Sequence, residues 1–172
     1  MLPRVNEELV RRMVRASELH GDFVLSSGLR SSVYFDKFRF LCEPGLLEDV
    51  AAEVASLLAP DTELVGAPEG AAMLLVAAVS LRTGLPIAVV RKEAKAYGTR
   101  AQVEGEVPAG ARTTLVEDVS TTGHQVLRAA EVLSAGGADV RRIVLAIDRG
   151  GADHLRDAGY EVEAVAVLRP AE

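Results

Sequence analysis

The chain has 172 residues, 49% hydrophobic and 26% charged, enough for one domain with a sizeable core and too apolar for a disordered segment. Its net charge of −6 and pI near 5.2 argue against a general nucleic-acid binder, which carries a basic face. The single cysteine, Cys42, excludes an internal disulfide and a cysteine metal cage.

The first residues, MLPRVNEELVRR, lack the apolar centre of a signal peptide. The longest apolar run, Ala71 to Val79, falls short of the ~18 residues that span a membrane. A cytoplasmic protein with neither membrane nor nucleic acid as partner is expected. From Asn6 to His20 the residues Leu9, Met13, Ala16 and Leu19 recur every three or four positions, which predicts an amphipathic helix closed by Gly21. Phe23-Val24-Leu25 reads as a short strand, Ser26 to Ser32 as a polar turn, and Val33-Tyr34-Phe35 as the return, a hairpin outside the main sheet.

Leu46, Leu47, Val50, Ala51, Val54 and Leu57 predict the next helix, stopped at Pro60-Asp61. Leu64-Val65 is a buried strand leading into the turn Gly66-Ala67-Pro68-Glu69-Gly70, which opens an apolar helix from Ala71 to Arg82. A glycine-rich turn at a helix start is a potential anion site. Ile87 to Val90 is a further strand, and strands alternating with helices imply a parallel sheet covered on both faces, with ligands at the strands' carboxyl ends. Arg91, Lys92 and Lys95 follow at such an end, and the charged, aperiodic segment from Glu93 to Gly110 predicts a mobile loop.

The stretch from Thr113 to Gly136 carries the chemistry. Leu115, Val116 and Val119 end a strand, while Val126, Ala129, Ala130 and Leu133 have helical spacing. Between them lie Glu117 and Asp118, then Ser120, Thr121, Thr122 and Gly123. A helix start leaves backbone N–H groups unpaired, so this loop can wrap a phosphate with N–H and hydroxyl donors together. One helix cap would use one hydroxyl, not three. The carboxylates would repel the phosphate and suit vicinal hydroxyls or Mg²⁺ instead, and a sugar phosphate presents both kinds of group. The loop is neither a Walker A sequence nor a G-x-G-x-x-G turn. Beyond Gly136-Gly137, a strand from Val140 to Ile147 ends in Asp148-Arg149-Gly150-Gly151, Ala152 to Ala158 is a short helix, and Val162 to Leu168 closes the chain.

Val116-Glu117-Asp118-Val119-Ser120-Thr121-Thr122-Gly123 resembles the phosphoribosyl diphosphate (PRPP) motif of type I phosphoribosyltransferases. GDFVLSSGLRSSVYFDKF resembles the N-terminal segment of the orotate phosphoribosyltransferases within that family, and RKEAKAYGTRAQVEG resembles their catalytic loop. The resemblance implies an α/β fold in which a central parallel β-sheet is flanked by helices. It implies one domain over residues 1–172, with a small N-terminal hood mainly at 21–40 and the mobile catalytic loop at 93–110. The implied reaction makes orotidine 5′-monophosphate and diphosphate from orotate and PRPP in pyrimidine synthesis.

The implied catalytic residues are Lys95, Asp118 and Glu117. PRPP binding falls to Arg91, Lys92, Lys95, Tyr97, Glu117, Asp118, Val119, Ser120, Thr121, Thr122, Gly123, His124 and Gln125, with His124 itself exposed on the first helical turn. Orotate binding falls to Ser26, Tyr34, Phe35, Thr121 and Arg149. The cofactor is Mg²⁺ carried by PRPP, with no certain direct protein ligand and Asp118 reaching it through water. Glu69, an acidic guest in the implied diphosphate loop, faces either Mg²⁺ or solvent. A homodimer is implied, with the catalytic loop acting in trans. The chain departs from the family pattern at Tyr97, where many members have histidine, at Ser26, where some have lysine, and at Gly123-His124-Gln125, where Gly-Gly-Ser is usual. A transferase for another base, or a PRPP-sensing regulator without catalysis, remain alternatives.

Overall fold

A computed structural model of the chain describes residues 6–24, 28, 30–94 and 102–168. Helix α1 (Glu7–Ser17) starts at Asn6, whose side chain accepts from the Leu9 N–H at 3.1 Å, and buries Leu9, Met13 and Ser17. The helix expected to run through His20 ends at Ser17. Pairing in a separate two-stranded antiparallel sheet claims the next residues: β1 (Glu18–Val24) sets Leu19 opposite Tyr34 and His20 opposite Val33 of β2 (Arg30–Phe35). Gly21 therefore lies within a strand irregularity between His20 and Phe23, not at a helix cap.

Asp36 then caps a five-residue helix, α2 (Lys37–Leu41), and its own N–H donates to Ser17 O at 2.8 Å. Glu43 caps α3 (Pro44–Leu57) by accepting from the N–H groups of Gly45 and Leu46. Strand β3 (Leu64–Pro68) extends further than its apolar start suggests, confining the turn before α4 (Ala72–Thr83) to the residues around Glu69 and Gly70. Within this strand position 66 is glycine because the later helix that carries Leu133 lies too close for a side chain: a Cβ there would stand 2.6 Å from Leu133 Cδ1.

Strand β4 (Ile87–Val90) follows, and β5 (Val103–Glu104) returns antiparallel to it. The segment expected as loop up to Gly110 thus contains a strand, which covers the open edge of β4. Then come β6 (Arg112–Ser120), α5 (His124–Ala135), β7 (Asp139–Asp148), α6 (Gly151–Asp157) and β8 (Glu161–Val167).

The main sheet has the order β5-β4-β3-β6-β7-β8 and is parallel except for β5. One face packs against α1 to α4 through residues such as Met13, Phe40, Val54, Leu75 and Val116. The other packs against α5 and α6 through Leu115, Leu133, Ile143, Leu145 and Leu155. A sheet covered on both faces needs apolar residues pointing both ways, which explains the near-continuous burial of β6 and β7. Because the chain leaves β3 for β4 on one side and later fills β6 on the other, β3 and β6 flank the switch point where ligands of such sheets bind. Among the described residues, no helix is long and apolar enough to cross a membrane.

Candidate active site

Glu117 and Asp118 are not in the loop between β6 and α5 but inside the strand, where Glu117 pairs with Leu145 of β7. Both are buried, an expensive placement for charge. The Asp118 N–H donates to Glu117 Oε1 at 3.1 Å. Burial, followed by the neighbouring Asp118, raises the Glu117 pKa well above the ordinary carboxylate range. Lys37 Nζ stands 2.8 Å from Asp118 Oδ2 as an ion pair. Neither Asp118 oxygen has a hydrogen-bond partner among the described residues.

Beyond β6, Ser120, Thr121, Thr122 and Gly123 line a cavity of about 150 Å³ with Lys37, Glu117 and Gln125. Gly123 takes the left-handed conformation, φ +80°, directly before α5, and no side chain caps that helix. Its first N–H groups thus stand beside three hydroxyl-bearing residues, the donor set of an oxyanion site. Gly151 of α6 packs so tightly against Ser120 and the Gly123 N–H that no side chain fits there.

A second cavity, about 460 Å³, is lined by Ser31, Tyr34 and Phe35 of β2, by Val14 and Glu18, and by Arg149 after β7. The Arg149 guanidinium carbon lies 5.4 Å from the Phe35 ring centroid. Asp148 Oδ1 accepts from the N–H groups of Gly150 and Ala152, and the Arg149 N–H donates to Ser120 O at 2.8 Å. Arg149 is therefore tied by its backbone to the start of the hydroxyl turn. An aromatic wall with an arginine fork above it suits a flat, anionic ring.

A third cavity, about 310 Å³, gathers Glu69, Arg91, Lys92, His124, Gln125 and Arg128. Glu69 Oε1 accepts from the Lys92 N–H at 2.9 Å, so this carboxylate joins the β3 turn to the exit of β4. Neither alternative expected for Glu69 describes that bond. Arg91 Nη1 is 3.8 Å from Glu104. His124 is exposed, as its position on the first turn of α5 predicts, and its ring meets His154 edge-on at 4.8 Å.

The structure thus brings Glu117, Val119 to Gly123 and Gln125 together, with Asp118 joined to them through Lys37, sets Tyr34 and Phe35 beside Arg149, and places Arg91 and Lys92 with His124 and Gln125. Thr121, expected at both the phosphate and the base, lines the first cavity only. Ser26, Lys95 and Tyr97 lie outside the described residues. Lys37 and Arg128 were missed. Arg128 carries a legible signal, three residues after Gln125 on the same helix face, whereas Lys37 follows a hairpin with no periodic pattern around it.

No protein-family model matches the chain. It is 42% identical to the orotate phosphoribosyltransferase of Thermococcus gammatolerans over 90% of this chain and 85% of that protein. It is 46% identical to that of Nocardioides sp. over 86% and 83% of the two chains. The crystal structure of the Mycobacterium tuberculosis H37Rv orotate phosphoribosyltransferase superposes with a TM-score of 0.83 at 31% identity, covering 94% of this chain and 95% of that one. The M. tuberculosis protein has also been solved in complex with PRPP, a structure that superposes with a TM-score of 0.75 at 27% identity over 94% of each chain.

Proposed function

The chain belongs to the orotate phosphoribosyltransferase family, and from that premise we propose that it transfers the 5-phosphoribosyl group of PRPP to orotate. The products are orotidine 5′-monophosphate and diphosphate, a step of pyrimidine synthesis. The observation that carries this reading is a buried pair of carboxylates, Glu117 and Asp118, directly before an uncapped helix start wrapped by Ser120, Thr121 and Thr122. Diol acceptors and phosphate donors so arranged match a ribose 5-phosphate.

Breaking the C1–O bond of PRPP develops positive charge on the ribose and negative charge on the departing diphosphate. Fixed charges placed where charge develops are usually the largest catalytic contribution, one well-aimed donor being worth ~3 kcal/mol. Asp118 and Glu117 hold the ribose hydroxyls and favour the cationic sugar. The hydroxyl turn from Ser120 to Gly123 holds the 5-phosphate. Arg91, Lys92 and Lys95 stabilise the diphosphate, with Tyr97 as a further donor to it. Arg149 meets the orotate carboxylate with its planar fork, while Tyr34 and Phe35 flank the ring and Ser26 borders it. Orotate N1 attacks as the bound anion, so no covalent enzyme nucleophile is required.

Mg²⁺ fits this donor set, because Asp118 Oδ1 is a buried carboxylate oxygen with no hydrogen-bond partner among the described residues. Mg²⁺ keeps several waters and is commonly met by one or two carboxylates together with substrate phosphates. When bound, Mg²⁺ neutralises diphosphate charge.

The same reading makes the protein a cytoplasmic homodimer whose catalytic loop works in the neighbouring subunit. In support, α4 exposes Met73, Leu74 and Leu81 on one face, an apolar row that a second copy would cover. Light scattering of the purified chain tests the dimer.

The activity is tested by following orotate absorbance in the presence of PRPP and Mg²⁺, then repeating with uracil, adenine, guanine and hypoxanthine. Rapid loss of orotate signal, abolished in Asp118→Asn, is expected. Turnover of a purine but not orotate would overturn the base assignment, and PRPP binding without turnover of any base would overturn the enzymatic one.

A further inference from the structure

The cavity at the hydroxyl turn has one cation among its described lining residues, and it comes from outside the PRPP motif. Lys37 is the first residue of α2, and its backbone is anchored on both sides. Asp36 before it is bonded to Ser17 and caps the helix, while Phe40 and Leu41 after it are buried. The ammonium is thereby delivered over Asp118, its ion-pair partner at 2.8 Å.

Asp118 accepts no hydrogen bond among the described residues, so the donors it lacks are those that ribose hydroxyls bring. Once they arrive, the ammonium no longer has sole claim on that carboxylate. The other acid on the cavity, Glu117, is pushed toward its neutral form by burial, which leaves the ammonium free to serve a phosphate in a cradle whose other donors, the hydroxyls of Ser120, Thr121 and Thr122 and the backbone N–H groups, are neutral. Lysine binds phosphate well as a compact point charge and needs no planar partner.

We propose that Lys37 is a substrate-contacting residue of the sugar-phosphate site, pairing with Asp118 when the site is empty and with the 5-phosphate when the ribose hydroxyls take over Asp118. The proposal rests on the phosphoribosyl-transfer reading above. It assigns the cradle's positive charge to the N-terminal segment, so that the phosphate is held from two separate parts of the chain.

The test is calorimetric titration with ribose 5-phosphate and, separately, inorganic diphosphate. Lys37→Met alone strands a buried carboxylate and can unfold the chain, so the comparison is Asp118→Asn against Lys37→Met/Asp118→Asn, with Lys37→Arg/Asp118→Asn as rescue. A charge-assisted contact predicts ribose 5-phosphate binding weakened about tenfold or more in the Met variant, diphosphate binding unchanged, and partial recovery with arginine. Equal ribose 5-phosphate affinity with and without Lys37 would overturn the proposal, leaving the lysine as a counter-ion only. Equal loss for both ligands would also overturn it, as a general charge effect. If the unsubstituted protein binds neither ribose 5-phosphate nor PRPP, the functional reading itself falls, and this proposal with it.

Discussion

Removing one partner of the Lys37–Asp118 pair should be nearly harmless to stability and removing the other damaging. At 2.8 Å and an effective dielectric of ~20, the pair attracts by about 6 kcal/mol before any cost is counted. Taking a carboxylate out of water costs several kcal/mol, and here no hydrogen bonds offset it, so the net contribution is close to zero. In Asp118→Asn the lysine side chain, already 37% exposed, returns to water. Stability should stay within about 1 kcal/mol, or roughly 4 °C in Tm, for a chain of this size. Lys37→Met instead leaves a charge in a side chain that is 1% exposed, at a cost of ~3–5 kcal/mol. Its Tm should fall by about 6–20 °C. Thermal unfolding at neutral pH, followed by circular dichroism, reads both. Activity should run the opposite way for Asp118→Asn, with turnover down about 100- to 1000-fold despite an intact fold. If Asp118→Asn loses as much stability as Lys37→Met, attraction and desolvation do not cancel in this pair.

Arg149→Lys keeps the charge but not the fork, so the KM for orotate should rise about ten- to a hundredfold with the KM for PRPP little changed; full activity would remove Arg149 from the base site. Gly66→Ala would set a Cβ 2.6 Å from Leu133 Cδ1 and 2.9 Å from Leu115 Cδ1 in a packed core, which should cost ~1–3 kcal/mol in urea unfolding, and an unchanged midpoint would show that α5 can shift. Because burial raises the Glu117 pKa, the fold favours its neutral form: that contribution is fully present below the ordinary carboxylate range and is lost as pH rises from there through the raised value. Unfolding of Glu117→Gln across this span should therefore show a stability gain over the unsubstituted chain that grows with pH, and parallel curves would refute it. Lys95→Ala should reduce turnover far more than PRPP affinity, and unchanged single-turnover rates would strike it from the catalytic residues.

The order of strands and helices was legible because apolar spacing is a direct imprint of burial, as in Leu9-Met13 or Val126-Ala130-Leu133. Boundaries failed where polar or small residues continue a buried strand: Gly66 to Pro68 in β3, and Glu117, Asp118 and Ser120 in β6, look like loop but belong to the sheet. At α1 the pairing of Leu19 with Tyr34 overrode helical spacing that would have carried on to His20. Helix α2 and strand β5, with five and two residues, are too short to show a period at all. The same limit hid part of the site. The motif from Glu117 to Gln125 is contiguous and could be read directly, and Arg149 was assigned through the family resemblance, its place after a strand being undecided alone. Lys37 reaches Asp118 only through the packing of α2, a relation across 81 residues of chain that local pattern does not encode.

The hydrogen bond from the Arg149 N–H to Ser120 O, with Gly151 pressed against the same serine, fuses the loops after β6 and β7 into one unit. On the proposed reading, an insertion after either strand would disturb both ends of a bound nucleotide at once. The aromatic side of the cavity beside Arg149 is less tightly bound to that unit, since Tyr34 and Phe35 come from a two-stranded sheet separate from the main one. A lineage drifting toward a new base would thus find its freedom in the hairpin, and the phosphate-holding half of the molecule would stay the same while recognition changed around it.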